Sequence, residues 1–126
     1  MKPQAVTTPE IPTGNSYVPA IQISTPGRLV FVSGQVPERA DGYVPADFAS
    51  QCRLAWENVL TTLRSADMDA HNLVKVTTFL SDRRYREENS RIRDEFLKDH
   101  QVALTIIITG IYDRRWLLEI EAVAAG

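Results

Sequence analysis

A chain of 126 residues, 44% hydrophobic and 24% charged, is long enough to bury one core and too short for two. Its formal charge of −2, from 14 Lys+Arg against 16 Asp+Glu, excludes the basic excess on which general nucleic-acid binding relies. The lone cysteine, Cys52, excludes an internal disulfide and fits a reducing, cytoplasmic setting. The longest apolar run, residues 103–111, is broken by Thr105, Thr109 and Gly110 and reaches about half a membrane span.

Residues 1–14, with Pro3, Pro9, Pro12 and a closing Gly14, read as an extended N-terminal arm with neither a signal nor a transit pattern. Residues 15–126 read as a single domain. Residues 17–24 (YVPAIQIS) and 28–35 (RLVFVSGQ) predict two strands joined as a hairpin through Thr25-Pro26-Gly27. Pro19 marks the first as an edge or late-starting strand. Asp41-Gly42 predicts a turn into a short Tyr43-Val44 strand.

Asp47 is placed to cap a long helix whose apolar stripe is Phe48, Cys52, Ala55, Val59 and Leu63. Residues 74–80 (VKVTTFL) alternate and are β-branched, which predicts a strand. Ser81 or Asp82 can cap a second helix with Tyr85, Asn89, Ile92 and Phe96 inward. Glu87–Arg91 and Asp94–Lys98 stand at i,i+4 on its outer face. Two strands close the chain, over 102–109 and 116–123. The order β-β-(β)-α-β-α-β-β predicts an α+β sheet with two helices on one face.

That sheet has two apolar faces. Residues 102–109 put Leu104, Ile106 and Ile108 on one side and Thr105, Ile107 and Thr109 on the other. Two helices cover only one side, and an antiparallel sheet usually shows its other side to water. The second face therefore predicts burial against another copy.

Some residues exceed what a core needs. Ser33-Gly34-Gln35 ends a strand that otherwise reads Leu-Val-Phe-Val. Asn89 interrupts an apolar stripe, either as a satisfied core amide or as a hydrogen-bond donor aimed at a cleft. Glu119 and Glu121 share a face with Leu117 and Val123. They are either wet surface charges or carboxylates whose mutual repulsion and lost solvation raise a pKa, suiting one of them to general acid–base work. Tyr17 alone reads as packing. His71 and His100 have no partner at ligand spacing, so no metal site is expected, and Cys52 reads as a buried, inert thiol.

The segments SYVPA, LVFVSGQVP, QCRLAWENVL, LVKVTTFLSD, NSRIRDEF and LLEIEAVA, in this order and spacing, resemble the RidA/YjgF family of enamine/imine (reactive intermediate) deaminases across residues 17–124. The resemblance implies a chorismate-mutase-like homotrimer whose sheets line a central β-barrel, with small-molecule substrate clefts between subunits. It implies Ser33 and Gly34 at the cleft, Tyr17 reaching it from a neighbouring subunit, Asn89 as a cleft amide, and Glu119 as the group that holds or activates the hydrolytic water. No cofactor is implied, because a protonated imine carbon is already electrophilic.

One departure bears on the substrate. The family's active deaminases bind the substrate carboxylate with an arginine in a Pro-Ala-Arg-Ser-like segment; here Leu104 takes its place and Val102 that of the proline. Losing a bidentate charged contact costs on the order of 3 kcal/mol, roughly a hundredfold in affinity, so 2-aminoacrylate-type acids are expected to bind poorly. Arg114 or Arg115 either supplies a displaced clamp, which suits a longer aminomuconate-like enamine, or pairs with Asp113 at the surface. A non-catalytic member that binds a small metabolite or a partner protein is the alternative. Ribonuclease activity is also attached to the family, but the acidic balance and the lack of a basic stripe argue against specific nucleic-acid binding.

Overall fold

The Asp47 carboxylate accepts a hydrogen bond from the Ser50 amide at 2.9 Å, satisfying one of the amides that a helix start leaves unpaired. From there α1 (Phe48–Ser65) runs 18 residues and buries Phe48, Cys52, Ala55, Trp56, Val59 and Leu63. The predicted stripe is thus the observed one. Asp82 caps a 3₁₀ turn (Arg83–Tyr85), bonding the Arg84 amide at 2.9 Å, and α2 (Arg86–Leu97) continues from it. Asn89, Ile92, Arg93 and Leu97 are its buried residues. In this computed structural model, which describes residues 3–24 and 27–126, the Glu87–Arg91 and Asp94–Lys98 pairs are not formed; Arg91 instead stands 3.9 Å from Glu88, at i,i+3.

The main sheet has five strands: β2 (Tyr17–Val18), β4 (Leu29–Gln35), β5 (Leu73–Leu80), β6 (Val102–Ile108) and β7 (Leu118–Ala125), in the order β2-β6-β5-β7-β4. β5 and β6 are parallel, joined over the sheet by α2, whereas β7 runs antiparallel to both β5 and β4. β1 (Gln4–Val6), within the N-terminal segment, pairs antiparallel with β3 (Ala20–Gln22) as a separate ribbon.

The predicted hairpin does not form. Pro19 divides the first segment into β2 and β3, and neither pairs with β4. A proline lacks the amide that a continuous ladder would use. β4, seven residues long, pairs instead with the eight residues of β7, and mutual bonds between Arg28 and Gly126 (2.9 and 3.1 Å) extend that ladder. Of the predicted turn, Thr25 and Pro26 lie outside the described residues. The Tyr43-Val44 strand is also absent. Arg39, Asp41 and Tyr43 close a local turn in which the Asp41 carboxylate accepts from the Tyr43 amide at 3.0 Å, and Gly42 takes φ 92°, a region open to glycine.

Both helices cover one face of the sheet, where Val32, Val76, Leu80, Leu118, Ile120 and Ala122 join the helix residues in the core. The other face has no helix over it. Registers align Phe31, Val123 and Lys75 there in one row, and Glu119, Phe79 and Ile107 in another. Phe31 is 73% exposed and Leu29 and Ile107 are also open, so this face is apolar and bare in a single copy. No helix among the described residues is long and apolar enough to cross a membrane.

Candidate active site

Parallel pairing of β6 with β5 sets Leu104 beside Val76, Ile106 beside Thr78 and Ile108 beside Leu80, on the face that α2 crosses. The gap between α2 and these strands is a cleft of about 450 Å³ with Leu80, Leu104, Ile106 and Ile108 as its apolar floor. Tyr17, Asn89, Ser90 and three arginines, Arg83, Arg86 and Arg93, complete the lining.

Tyr17 reaches this cleft in its own chain, because β2 pairs with β6 at the register Tyr17–Val102. Its ring folds back over Gly14, whose amide bonds the Tyr17 carbonyl at 3.0 Å; a Cβ on Gly14 would stand 2.7 Å from the ring's Cζ, so only glycine admits this fold-back. The resemblance had assigned the tyrosine to a neighbouring subunit's cleft. Within one chain it already stands with Asn89 and Leu104.

Asn89 is 1% exposed. Its Oδ1 faces the Cys52 thiol at 3.9 Å, and its Nδ2 is buried with no hydrogen-bond partner. One turn on, Arg93 is 4% exposed. Its Nε donates to Ser16 Oγ at 2.7 Å, and its Nη1 is buried without a partner. The Asp94 carboxylate comes only to 4.0 Å, and burial draws the Arg93 pKa below its ordinary value, against the pull of Asp94. Cys52 lies behind Asn89, its thiol pushed up to about 12 by burial. It is a neutral packing group rather than a nucleophile.

Ser33, Gly34 and Glu119 form a second group, away from this lining. The β4–β7 register shifts between Val32 and Gln35, so Ser33-Gly34 is a bulge. The Gln35 side chain donates to the Ser33 carbonyl at 3.0 Å across it. Ser33 is solvent-exposed in the single chain, in contrast to the buried position that its strand suggests. Glu119 projects from β7 onto the uncovered face, opposite Phe79, and its carboxylate lies against the Gly34 backbone so closely that any Cβ there would overlap it. Glu119 is half-buried and Glu121 exposed.

Arg115 stands apart from both groups. Asp113 holds it through Nη2 at 3.0 Å, Nε at 3.2 Å and the backbone amide at 2.8 Å, with Glu38 at 3.7 Å. These bonds lower the Asp113 pKa and raise that of Arg115. Neither Arg115 nor the exposed Arg114 lines the cleft. The loop is fixed from beneath by buried Gln51, which donates to the Pro45 and Arg115 carbonyls at 2.8 Å and accepts from the Leu117 amide at 2.7 Å.

The cleft arginines went unread in the sequence. Arg86, Asn89 or Ser90, and Arg93 recur at i, i+3 or i+4, and i+7, so the stripe that contains Asn89 carries the signal. Arg93 adjoins Ile92 of the apolar stripe, but a charged residue ordinarily signals a solvated face. Among the described residues no three His, Cys, Asp or Glu side chains are grouped to hold a metal.

A model of the Endoribonuclease L-PSP family matches residues 7–126. TdcF of Escherichia coli, which carries a provisional name as a reactive intermediate deaminase, is 30% identical over 112 residues, 86% of this chain and 84% of its own. The mitochondrial protein mmf2 of Schizosaccharomyces pombe is 30% identical over 123 residues, 95% of each chain. Among solved structures, E. coli TdcF with bound serine superposes with a TM-score of 0.74 at 26% identity over 98% of each chain. A Rid-family protein of unknown function from Yersinia pestis, at 19% identity, shares the fold over the full length of both chains with a TM-score of 0.89.

Proposed function

This chain belongs to the Endoribonuclease L-PSP family, the RidA/YjgF proteins, and on that premise we propose that it deaminates a reactive enamine or imine, hydrolysing a carbon–nitrogen bond with release of ammonia. The observation that carries the reading is the contact between the Glu119 carboxylate and the Gly34 backbone. A glycine in a strand bulge permits close approach to the backbone, and here it lets a carboxylate sit against the main chain where a Cβ would overlap it. The deaminase name of TdcF and the serine in its structure support an amino-acid-like ligand.

In the proposed reaction the enamine takes a proton at carbon and becomes an imine. Water adds to the imine carbon as Glu119 accepts the water proton, giving a carbinolamine. Glu119 then returns that proton to the nitrogen, the C–N bond breaks to release ammonia, and the hydroxyl gives up its proton to solvent as the carbonyl forms. Asn89 and Tyr17 orient the substrate, Ser33 and the Gly34 backbone hold its far side, and Leu104 packs its body.

One copy keeps the cleft and the Glu119 group on opposite faces of the sheet. The proposed assembly is a homotrimer in which the bare apolar faces line a central barrel. There Ser33, Gly34 and Glu119 of one copy meet the Asn89–Leu104 cleft of the next. Hydrophobic burial favours that arrangement for Phe31, Leu29 and Ile107.

Ammonia release from 2-aminoacrylate generated in situ tests the reading, with wild type, Glu119→Gln and Leu104→Arg compared. Activity in wild type that falls about a hundredfold or more in Glu119→Gln supports it. Inactive wild type with active Leu104→Arg keeps the catalytic group and redirects the substrate. A second reading, a member that binds a small metabolite or partner without chemistry, is favoured by Leu104 in the clamp position. It gains if all three proteins are inactive.

A further inference from the structure

Leu104 removes a cation from the cleft, yet three arginines line it and no carboxylate does. Arg93 is the deepest of them. The buried guanidinium bonds directly only to neutral Ser16 Oγ, has the Asp94 carboxylate no nearer than 4.0 Å and leaves Nη1 unpaired, an arrangement that an anion in hydrogen-bond contact completes. The unpaired Nδ2 of Asn89 lies one turn before it on the same helix face. Two buried, unsatisfied donors one helical turn apart, on side chains that both line the cleft, suit the two oxygens of a carboxylate.

Arg83 and Arg86 are placed differently. Both are exposed, and among the described residues neither has an ion pair within 4.0 Å. Arg86 precedes Arg93 by seven residues, two turns of α2 or roughly 10 Å along the axis. Between these cationic ends the floor is Leu80, Leu104, Ile106 and Ile108. The groove beyond the mouth adds Arg84 and one carboxylate, Glu87, so the cationic excess persists outward.

We propose that Arg93, with Arg83 and Arg86 at the mouth, takes over the role of the missing clamp and makes this cleft selective for small organic acids with two anionic groups on an apolar body. One carboxylate is bound inside by Arg93 and Asn89, the second anionic group at the mouth by Arg83 and Arg86, and Leu104 packs the carbon chain between them. This rests on the cleft being the substrate site described above. It replaces Arg114 and Arg115 as the source of the displaced charge and retains the expectation of a longer substrate.

The test is calorimetric binding of two 2-oxo acids to the full chain at neutral pH: 2-oxobutyrate, with one carboxylate, and 2-oxoadipate, with two. Wild type is expected to bind 2-oxoadipate about tenfold or more tightly than 2-oxobutyrate, as an added charged hydrogen bond provides. Arg93→Met is expected to weaken both about tenfold or more, and the surface pair Arg83→Gln/Arg86→Gln to shrink the preference below about threefold. Equal wild-type affinity for the two acids overturns the inference, as does undiminished binding by Arg93→Met. If Arg93→Met does not fold, Arg93→Lys, which keeps the charge and loses the planar fork, and the surface pair decide the matter in the same way.

Binding is read without turnover, so the two readings fail separately. Preference for the two-carboxylate acid, without ammonia release from the matching enamine, overturns the deaminase reading and leaves the anion assignment standing. Ammonia release from a one-carboxylate enamine, with no preference for a second anionic group, overturns the assignment and leaves the deaminase.

Discussion

Gly34→Ala tests the role proposed for Glu119 apart from folding. The added Cβ would stand 2.8 Å from Glu119 Cδ and 3.2 Å from Cγ, and nearer still to Oε2. Carbon atoms in comfortable contact are about 3.5–4.0 Å apart, so the carboxylate must retreat by roughly 1 Å. Glu119 is half-buried and faces the uncovered side of the sheet, and its side chain can swing away at little expense. Gly34 does not have positive φ, so alanine meets no backbone strain. Stability should therefore change little, with the melting temperature within about 2 °C of wild type. A catalytic group displaced by about 1 Å loses on the order of a hundredfold in rate. Ammonia release by a coupled assay, beside a thermal melt of the same preparation, measures both. Activity within threefold of wild type would show that the Gly34–Glu119 contact does not set the reacting geometry. A collapse of the melting temperature would make the contact structural instead.

Phe31→Asp puts a charge in the middle of the bare sheet face, where the ring is 73% exposed in one copy. Sedimentation should then shift toward the 14.2 kDa single chain, and an unchanged assembly would place the interface elsewhere. Burial pushes the Cys52 thiol up to about 12 from the ordinary 9.0. The folded state thus favours the neutral thiol, a contribution complete below pH 9 and lost as pH rises toward 12, by up to about 1.4 kcal/mol per pH unit. Disulfide-exchange reagents at pH 8 should label the native chain on the order of a hundredfold more slowly than the denatured chain, and alkaline stability should fall less steeply in Cys52→Ala. The Ser50 amide holds the Asp47 carboxyl below its ordinary 3.8, so the cap stabilises above that pH and is lost as acid protonates it. Asp47→Ala should lower the melting temperature by roughly 3 °C at pH 7, and the difference from wild type should disappear on acidification through the carboxylate range.

How much of the fold was legible follows the range of the forces. Both helices could be read because their signals are local: the Asp47 cap, the Phe48–Leu63 stripe, and Asp82 before the second helix. β5, β6 and β7 were legible to within two residues at each end from alternation and β-branching. Strand pairing was not. The Thr25-Pro26-Gly27 signal favoured a hairpin, but β4 found in β7 a longer partner 83 or more residues away in sequence. Turn propensity is worth far less than a full ladder over an apolar face.

The candidate site divides along the same line. Asn89 and Glu119 stood out in the sequence because a polar group on an apolar stripe is costly to bury, and such costs are visible residue by residue. Arg93 was hidden for the opposite reason, since charge ordinarily signals solvent. In the fold that guanidinium is buried and bonds Ser16, the residue just before β2, 77 positions away in sequence. The order of residues determined the elements, the capped ends and which polar side chains face inward. The tertiary structure alone decided the partners of each strand and the parting of Glu119 from the cleft onto opposite sheet faces. It also decided the burial of Arg93, because these depend on contacts between segments from 14 to 96 residues apart, which no local pattern encodes.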